Sequence, residues 1–152
     1  MLNNRILVAT DGSAPARVAE ETAAAICNSM EECEIEVVTV IPPRHDAYSR
    51  STPYSPHSSD EDVRRAQALL SEAADRIRAK LTNPRASVFE QLLEHTSPAA
   101  AIVREADADG TCRFIVIGNR GLGGLSGLAL GSVSTQVLHA SKCPVLLVKV
   151  QE

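Results

Sequence analysis

The chain has 152 residues, 44% of them apolar, and a net charge of −4 at neutral pH. That length suits one domain with a core of its own, and the charge balance argues against nucleic acid, which selects a concentrated basic face. No apolar run approaches the ~18 residues that cross a bilayer, and with no tryptophan and 3% aromatics the core is expected to be aliphatic.

The first residues lead straight into an apolar run, which predicts no signal peptide and a cytoplasmic protein. Arg5 to Thr10 reads as a strand closed by the turn Asp11-Gly12-Ser13. Ser13 suits a helix cap with Pro15 in the first turn. Val18, Thr22, Ala25, Ile26 and Met30 then recur at helical spacing. Ile35 to Ile41 is a second β-branched run, stopped by Pro42-Pro43. Residues 42–60 hold four prolines, many serines and no periodicity, and are expected to form a long mobile loop.

Ser58 with Glu61 fits a capping box, and acidic residues suit a helix's first turn. The following stripe of Val63, Ala66, Leu69, Leu70, Ala73, Ala74, Ile77 and Leu81 lays that helix on a core. Ser87 to Leu93 is the third candidate strand. Ser97-Pro98 opens a helix that buries Ile102, Val103 and Ala106 and stops at Gly110. Arg113 to Ile117 is the fourth strand, Ser132 to Ala140 a short helix, and Val145 to Val150 the last strand, at a sheet edge.

Strands alternating with helices predict an α/β fold, a single domain over residues 1–152 with an open parallel five-stranded sheet and helices on both faces. The near-continuous apolar strands agree, because parallel strands are covered on both sides. Ligands in such sheets bind beyond the carboxyl ends of the strands. If the first and fourth strands are neighbours, Asp11 and the loop after Ile117 share one crevice.

Six of the eight glycines fall between Gly118 and Gly131, directly after Phe114-Ile115-Val116-Ile117. The stretch reads Gly118-Asn119-Arg120-Gly121, nine residues, then Gly131-Ser132, with Ser132 read as the cap of the next helix. Clustered glycine costs chain entropy and favours close approach of backbone to a ligand. A strand, a glycine-rich loop and a helix start together suit an anion. A flexible surface loop is the plainer reading. Neither GxxxxGKS/T nor GxGxxG after the first strand is present, so the P-loop and dinucleotide fingerprints are absent. Lys80, Lys142 and Lys149 lie outside the loop, which leaves Arg120 as its charged candidate.

Gly118-x2-Gly121-x9-Gly131-Ser132 resembles the nucleotide-binding signature of the universal stress protein family, spacing included. The Asp11 strand end, the Val40 strand end, and the tail from Ser132-Val133-Ser134 through Pro144 to Lys149 are similar to that family as well, so the resemblance runs from Arg5 to Val150. It implies a Rossmann-like, adenine nucleotide alpha hydrolase-like fold and the family's ATP-binding subclass, with Mg2+ or Mn2+ beside the phosphates. By that resemblance, Ala9 and Asp11 line the adenosine side, Val40 contacts adenine, and Ile117 and Gly118 border the ribose. Gly121, Gly131, Ser132 and Val133 hold the phosphates, with Arg120 nearby. It also implies a homodimer through the C-terminal strand. Two departures stand out: Asn119 where the family often has serine, and Glu94-His95-Thr96-Ser97-Pro98 without the glycine common there.

Other residues take plainer readings. His45, Asp46, His57 and Asp60 lack metal spacing and read as solvated loop. His95 reads as a polar loop residue and His139 as part of a helix face. Phosphorylation at Ser132, Ser134 or Thr135 is a minority reading. Cys27, Cys33, Cys112 and Cys143 form no CxxC pair. A disulfide can form between Cys27 and Cys33, but buried reduced thiols are expected in a cytoplasmic chain. Three functions stay open: an ATP-binding regulatory or sensor module in the stress response with slow or no hydrolysis, a slow ATPase or phosphotransferase using Asp11 and Arg120, and a nucleotide-independent interaction module. The complete signature without a lysine favours the first, with no residue assigned to catalysis and none to a metal.

Overall fold

The computed structural model describes residues 4–43, 58–121 and 130–151. Nine elements follow one another: β1 (Arg5–Ala9), α1 (Ala14–Asn28), β2 (Cys33–Ile41), α2 (Asp60–Lys80), β3 (Ala86–Glu94), α3 (Pro98–Asp107), β4 (Cys112–Gly118), α4 (Ser132–Ala140) and β5 (Val145–Val148). The strands form one parallel sheet in the order β3-β2-β1-β4-β5. The chain starts in the middle of the sheet and winds outward twice, so the strand order reverses between β1 and β4. As expected from the alternation, the sheet has five strands with helices on both faces, and β5 lies at an edge.

Side chains alternate across a strand, and β1 divides its residues accordingly. Ile6 and Val8 face α1 and α2, packing with Ala19, Ala23, Ile35, Val37, Leu70, Ala73 and Ile77. Leu7 faces α3 and α4, packing with Val38, Ile102, Ala106, Ile115 and Val137. Ile6, Leu7, Val8, Ile35 and Ile115 are wholly buried, each stabilising the fold by about 1.5–3 kcal/mol relative to an exposed side chain. The alanines along α1 let that helix sit close to the strands.

Boundaries differ from the sequence reading in places. The cap of α2 is Ser59: its hydroxyl accepts the Asp62 N–H, and the Asp62 carboxylate accepts the Ser59 N–H. Ser58 instead spends its N–H on Pro43 O and its hydroxyl on Pro42 O. The mobile loop expected at 42–60 falls mostly on residues 44–57, outside the described residues, together with His45, Asp46 and His57; its last residue, Asp60, is the first of α2. β5 ends at Val148, two residues before the predicted Val150. Cys27 and Cys33, expected as thiols, are joined in a disulfide. The end of α1 and the start of β2 bring their Cα atoms to 5.5 Å, within the range a disulfide spans.

At the amino ends of the strands, the buried Arg5 pairs with the buried Glu36 on β2. Its guanidinium also donates to Asp109, to Thr111 Oγ1 and to the carbonyls of Glu105 and Ala106, covering the last turn of α3. Burial, followed by the neighbouring Glu105 carboxyl, pushes Glu36 up to about 7 despite Arg5. Thr111's hydroxyl and N–H hold Asp109 down at about 2. Among the described residues no helix is long and apolar enough to cross a membrane.

Candidate functional site

The carboxyl ends of β1, β2 and β4 surround a cleft of about 560 Å³, closed on its sides by α3 and the first turn of α4. Its floor begins at β1. Thr10 N–H donates to Val38 O at 2.9 Å, carrying the β1–β2 ladder one residue past the strand. The next residues turn sharply. Asp11 Oδ1 accepts the Ser13 N–H at 2.9 Å, and Gly12 takes φ +79°, which a side chain at that position would resist. Ser13 Oγ then accepts the Ala16 N–H and caps α1. Asp11 is thus both a turn-forming residue and a carboxylate on the cleft wall.

This turn is braced from behind. Thr10 Oγ1 accepts the Gly12 N–H at 3.3 Å and donates to Glu20 Oε1 at 3.1 Å. Glu20, only 2% exposed, receives two hydrogen bonds from Arg76 of α2, at 2.8 and 3.0 Å. A buried carboxylate is costly unless paired and bonded in this way.

The opposite wall is the glycine segment. Gly118 ends β4 where a Cβ would lie 2.7 Å from Pro15 Cβ, so α1 leaves no room for a side chain. At Gly121 a Cβ would meet Asp11 Oδ2 at 2.5 Å, so that glycine lets the two sides of the cleft approach. Gly131 N–H donates to Asn119 O at 2.6 Å, and Ser134 Oγ donates to Gly118 O at 2.7 Å. These two bonds bring the ends of the segment together. Residues 122–129 lie outside the described residues. Gly131, not Ser132, is the N-cap of α4; it makes no side-chain cap bond, and Ser132 is the first helical residue. The cap was misassigned because glycine supports the extended conformation before a helix as readily as serine.

All ten residues singled out in the sequence, Ala9, Asp11, Val40, Ile117, Gly118, Arg120, Gly121, Gly131, Ser132 and Val133, line this one cleft. Their chemistry is graded. Ala9, Val40 and Ile117, with Val38, Pro98 and Ile102, make an apolar end; Asp11, Arg120, Ser132 and the glycine backbone make a polar one. On the described lining Asp11 is the one carboxylate and Arg120 the one cation. The first turn of α4 also lines the cleft, and helix N-termini present N–H groups and a positive dipole end to anions. The sequence reading did not single out Ala16, Val38, Thr39, Pro98, Ile102, Leu130 or Ser134 as lining residues. Ser13 and Pro98 were legible as helix starts beside strand ends; Ile102 was read as core only.

The remaining candidates stand apart. His95 Nδ1 accepts the Ser97 N–H at 2.8 Å, a turn contact, and His139 is exposed on α4. Ser134 is buried and its hydroxyl is engaged on Gly118 O. Among the described residues no group of three His, Cys, Asp or Glu side chains is placed to hold a metal ion.

Comparison with known proteins adds to this geometry. The sequence model of the Universal stress protein family matches residues 3–149. A Staphylococcus saprophyticus protein named as a universal stress protein is 29% identical over 147 residues, 97% of this chain and 84% of that one. A universal stress protein of Mycobacterium tuberculosis is 40% identical over 52 residues, 34% of this chain; the match spans 17% of that relative's length. The universal stress protein of Archaeoglobus fulgidus in complex with dAMP has a similar structure, with TM-score 0.72, 27% identity, and coverage of 98% of this chain and 100% of the other. A universal stress protein in complex with cAMP aligns at TM-score 0.70 and 26% identity, over 99% and 100% of the two chains.

Proposed function

The chain belongs to the universal stress protein family, and from that premise we propose that it is a cytoplasmic ATP-binding regulatory or sensor protein of the stress response. The observation that carries this reading is the convergence of the glycine segment, Asp11 and the first turn of α4 on one graded cleft. Ala9, Val40 and Ile117 offer an apolar seat for adenine and its ribose, beside Gly118 and Asp11. Gly121, Ser132 and Val133 offer backbone N–H groups to the phosphates, and Gly131, whose own N–H is engaged on Asn119 O, offers the helix start it caps, with Arg120 on the same wall. The cleft volume lies within the ~300–1,000 Å³ of small-molecule sites. Gly121 and Gly131 keep the cleft wall in this shape, because a Cβ at either would meet Asp11 Oδ2 at 2.5 Å or Arg120 Cα at 3.2 Å. The relatives solved with dAMP and cAMP support adenine as the base.

A divalent ion, Mg2+ or Mn2+, would arrive on the phosphates and offset their charge; Asp11 is the one carboxylate on the described lining that could meet it. No lysine sits on the described lining, which supports binding with slow or no hydrolysis. A homodimer through β5 is part of the same reading, supported by its edge position and by Leu146, 37% exposed on it.

The test is denaturing release and chromatography of copurified nucleotide, followed by Mg-ATP titration of nucleotide-free protein and of a Gly121→Val, Gly131→Val variant. The expected result is a nucleotide complex in the parent, none in the folded variant, and slow or no formation of ADP. A parent that carries no nucleotide and gains no thermal stability with rising Mg-ATP overturns the reading, because any ligand bound by the folded state must raise stability with concentration.

A further inference from the structure

The four cysteines of the chain sort into two pairs in space. Cys27 and Cys33 are bonded to each other and are almost wholly buried, at 0% and 1% exposure. Cys112, at the start of β4, and Cys143, in the turn before β5, are unbonded, with their sulfurs in contact at 3.2 Å. This second pair touches solvent: Cys143 is half-buried, while Cys112 lies beneath it at 8% exposure. Nothing in the ATP-binding reading uses either thiol.

Backbone on both sides holds the open pair in register. Cys112 sits opposite Arg5 in the β1–β4 ladder. Ser141 Oγ accepts the Cys143 N–H at 3.1 Å and donates to Cys143 O at 2.9 Å, which fixes the turn. The next residue, Pro144, accepts the Ile115 N–H at 2.9 Å. Cys143 Sγ donates to Cys112 O at 3.4 Å, and Cys112 Sγ to Phe114 O at 3.3 Å. The two anchored sulfurs stand 3.2 Å apart and must close to ~2.05 Å to form a disulfide.

We propose that Cys112 and Cys143 are a reversible redox site that takes a hydroperoxide as its oxidant and closes residues 112–143 into a covalent ring. That ring brackets β4, the glycine segment and α4, so the modification clasps the part of the chain that forms one wall of the cleft without entering it. Cys143, the more accessible thiol, loses its proton and its sulfur attacks the terminal peroxide oxygen. The O–O bond breaks, an alcohol (or water, from hydrogen peroxide) leaves, and Cys143 becomes a sulfenic acid. Cys112 Sγ then attacks that sulfur; its proton leaves with the sulfenic hydroxyl as water, and the S–S bond forms. Two thiols have lost two electrons and two protons, and the peroxide has taken them up. A dithiol reductant reverses the step. Burial pushes both thiols up, Cys112 to about 12, so thiolate is scarce at neutral pH and the step is slow.

The experiment treats the purified full chain with hydrogen peroxide, alkylates residual thiols under denaturing conditions and maps unreduced peptides by mass spectrometry, beside the same treatment of urea-unfolded chain. The expected product links Cys112 to Cys143, in severalfold excess over the unfolded control, with Cys27–Cys33 unchanged. Dithiothreitol restores both thiols, and the oxidised protein melts higher because the ring restricts the unfolded chain. In Cys112→Ser, Cys143 is expected to run on to sulfinic acid for want of a partner. Recovery of Cys112 and Cys143 as alkylated thiols, or links scattered among all four cysteines as in the unfolded control, overturns the proposal. The wild-type map decides this even if the variant does not fold, and it is independent of whether the cleft holds nucleotide.

Discussion

Replacing Gly118 by alanine tests whether the end of β4 is packed against α1 or merely adjacent to it. The added Cβ would stand 2.7 Å from Pro15 Cβ, 2.9 Å from Pro15 C and 3.1 Å from Ala16 N. None of these atoms can swing away: one is in a fixed ring and two are helix backbone. Ordinary contact begins at 3.4 Å, so the first turn of α1 must lift by about 0.7 Å, a displacement that a close-packed interior resists. Lifting it loosens Ala16 and Ala19, 4% and 0% exposed, and disturbs the Ser13 cap and the Asp11 turn. Overpacking of this kind costs about 1–3 kcal/mol, which for a chain of this size lowers the melting temperature by about 2–12 °C. Urea unfolding should show a lower midpoint at unchanged slope. Gly121→Ala is the control, since its Cβ meets the far end of the Asp11 side chain, a flexible group, where Gly118→Ala meets a fixed ring and helix backbone. Gly118→Ala within about 0.5 kcal/mol of the parent, or less destabilised than Gly121→Ala, would refute the reasoning.

Three further outcomes follow from the polar interior. Arg76→Met strands Glu20 in the core and should cost about 3–5 kcal/mol, whereas Glu20→Gln keeps a partner for Thr10 and lets the half-buried Arg76 reach water, costing about 1–2 kcal/mol; chemical denaturation of the two variants checks the order. Glu36 in the folded chain keeps a proton that an unfolded carboxyl, ordinarily at 4.5, has lost, so stability falls as pH rises from 4.5 to about 7 and levels off above. Glu36→Gln should flatten that slope, and urea midpoints that keep the parent's pH dependence would count against it. Ser134→Ala removes the hydroxyl on Gly118 O and should cost about 1–2 kcal/mol, with faster amide exchange at the start of α4 as its local signature.

The fold was legible where sequence period and composition coincided. β1 and β2 are β-branched runs bounded by turn residues, α1 and α2 are apolar stripes, and α4 was placed from Ser132 to Ala140 as it stands. Where the reading slipped, the sequence offered equivalent choices. Ser58 and Ser59 each have an acidic residue three positions on, and only the bonds from Ser58 to Pro42 O and Pro43 O leave Ser59 to cap. The Cys27–Cys33 pair was legible as a possible disulfide and was set aside only because reduced thiols are expected in a cytoplasmic chain, whereas the Cys112–Cys143 contact was illegible, because spacing says nothing about where a strand start meets a turn thirty-one residues on. The cleft was half-legible. Asp11 and the glycine segment were visible as strand-end features, but only the adjacency of β1 and β4 brings them together.

The three signature glycines do different physical work, although the sequence presents them as one motif. Gly118 admits α1, Gly121 admits the Asp11 carboxylate, and Gly131 admits the backbone of Asn119 and Arg120, its absent Cβ falling 3.2 Å from Arg120 Cα. A substitution at the first is therefore a matter of stability, at the second of cleft shape, and at the third of closing the segment on itself. The two ends of the segment are also tied to each other. Gly131 N–H reaches Asn119 O and Ser134 reaches Gly118 O, so the segment leaves and returns at one point beside β4.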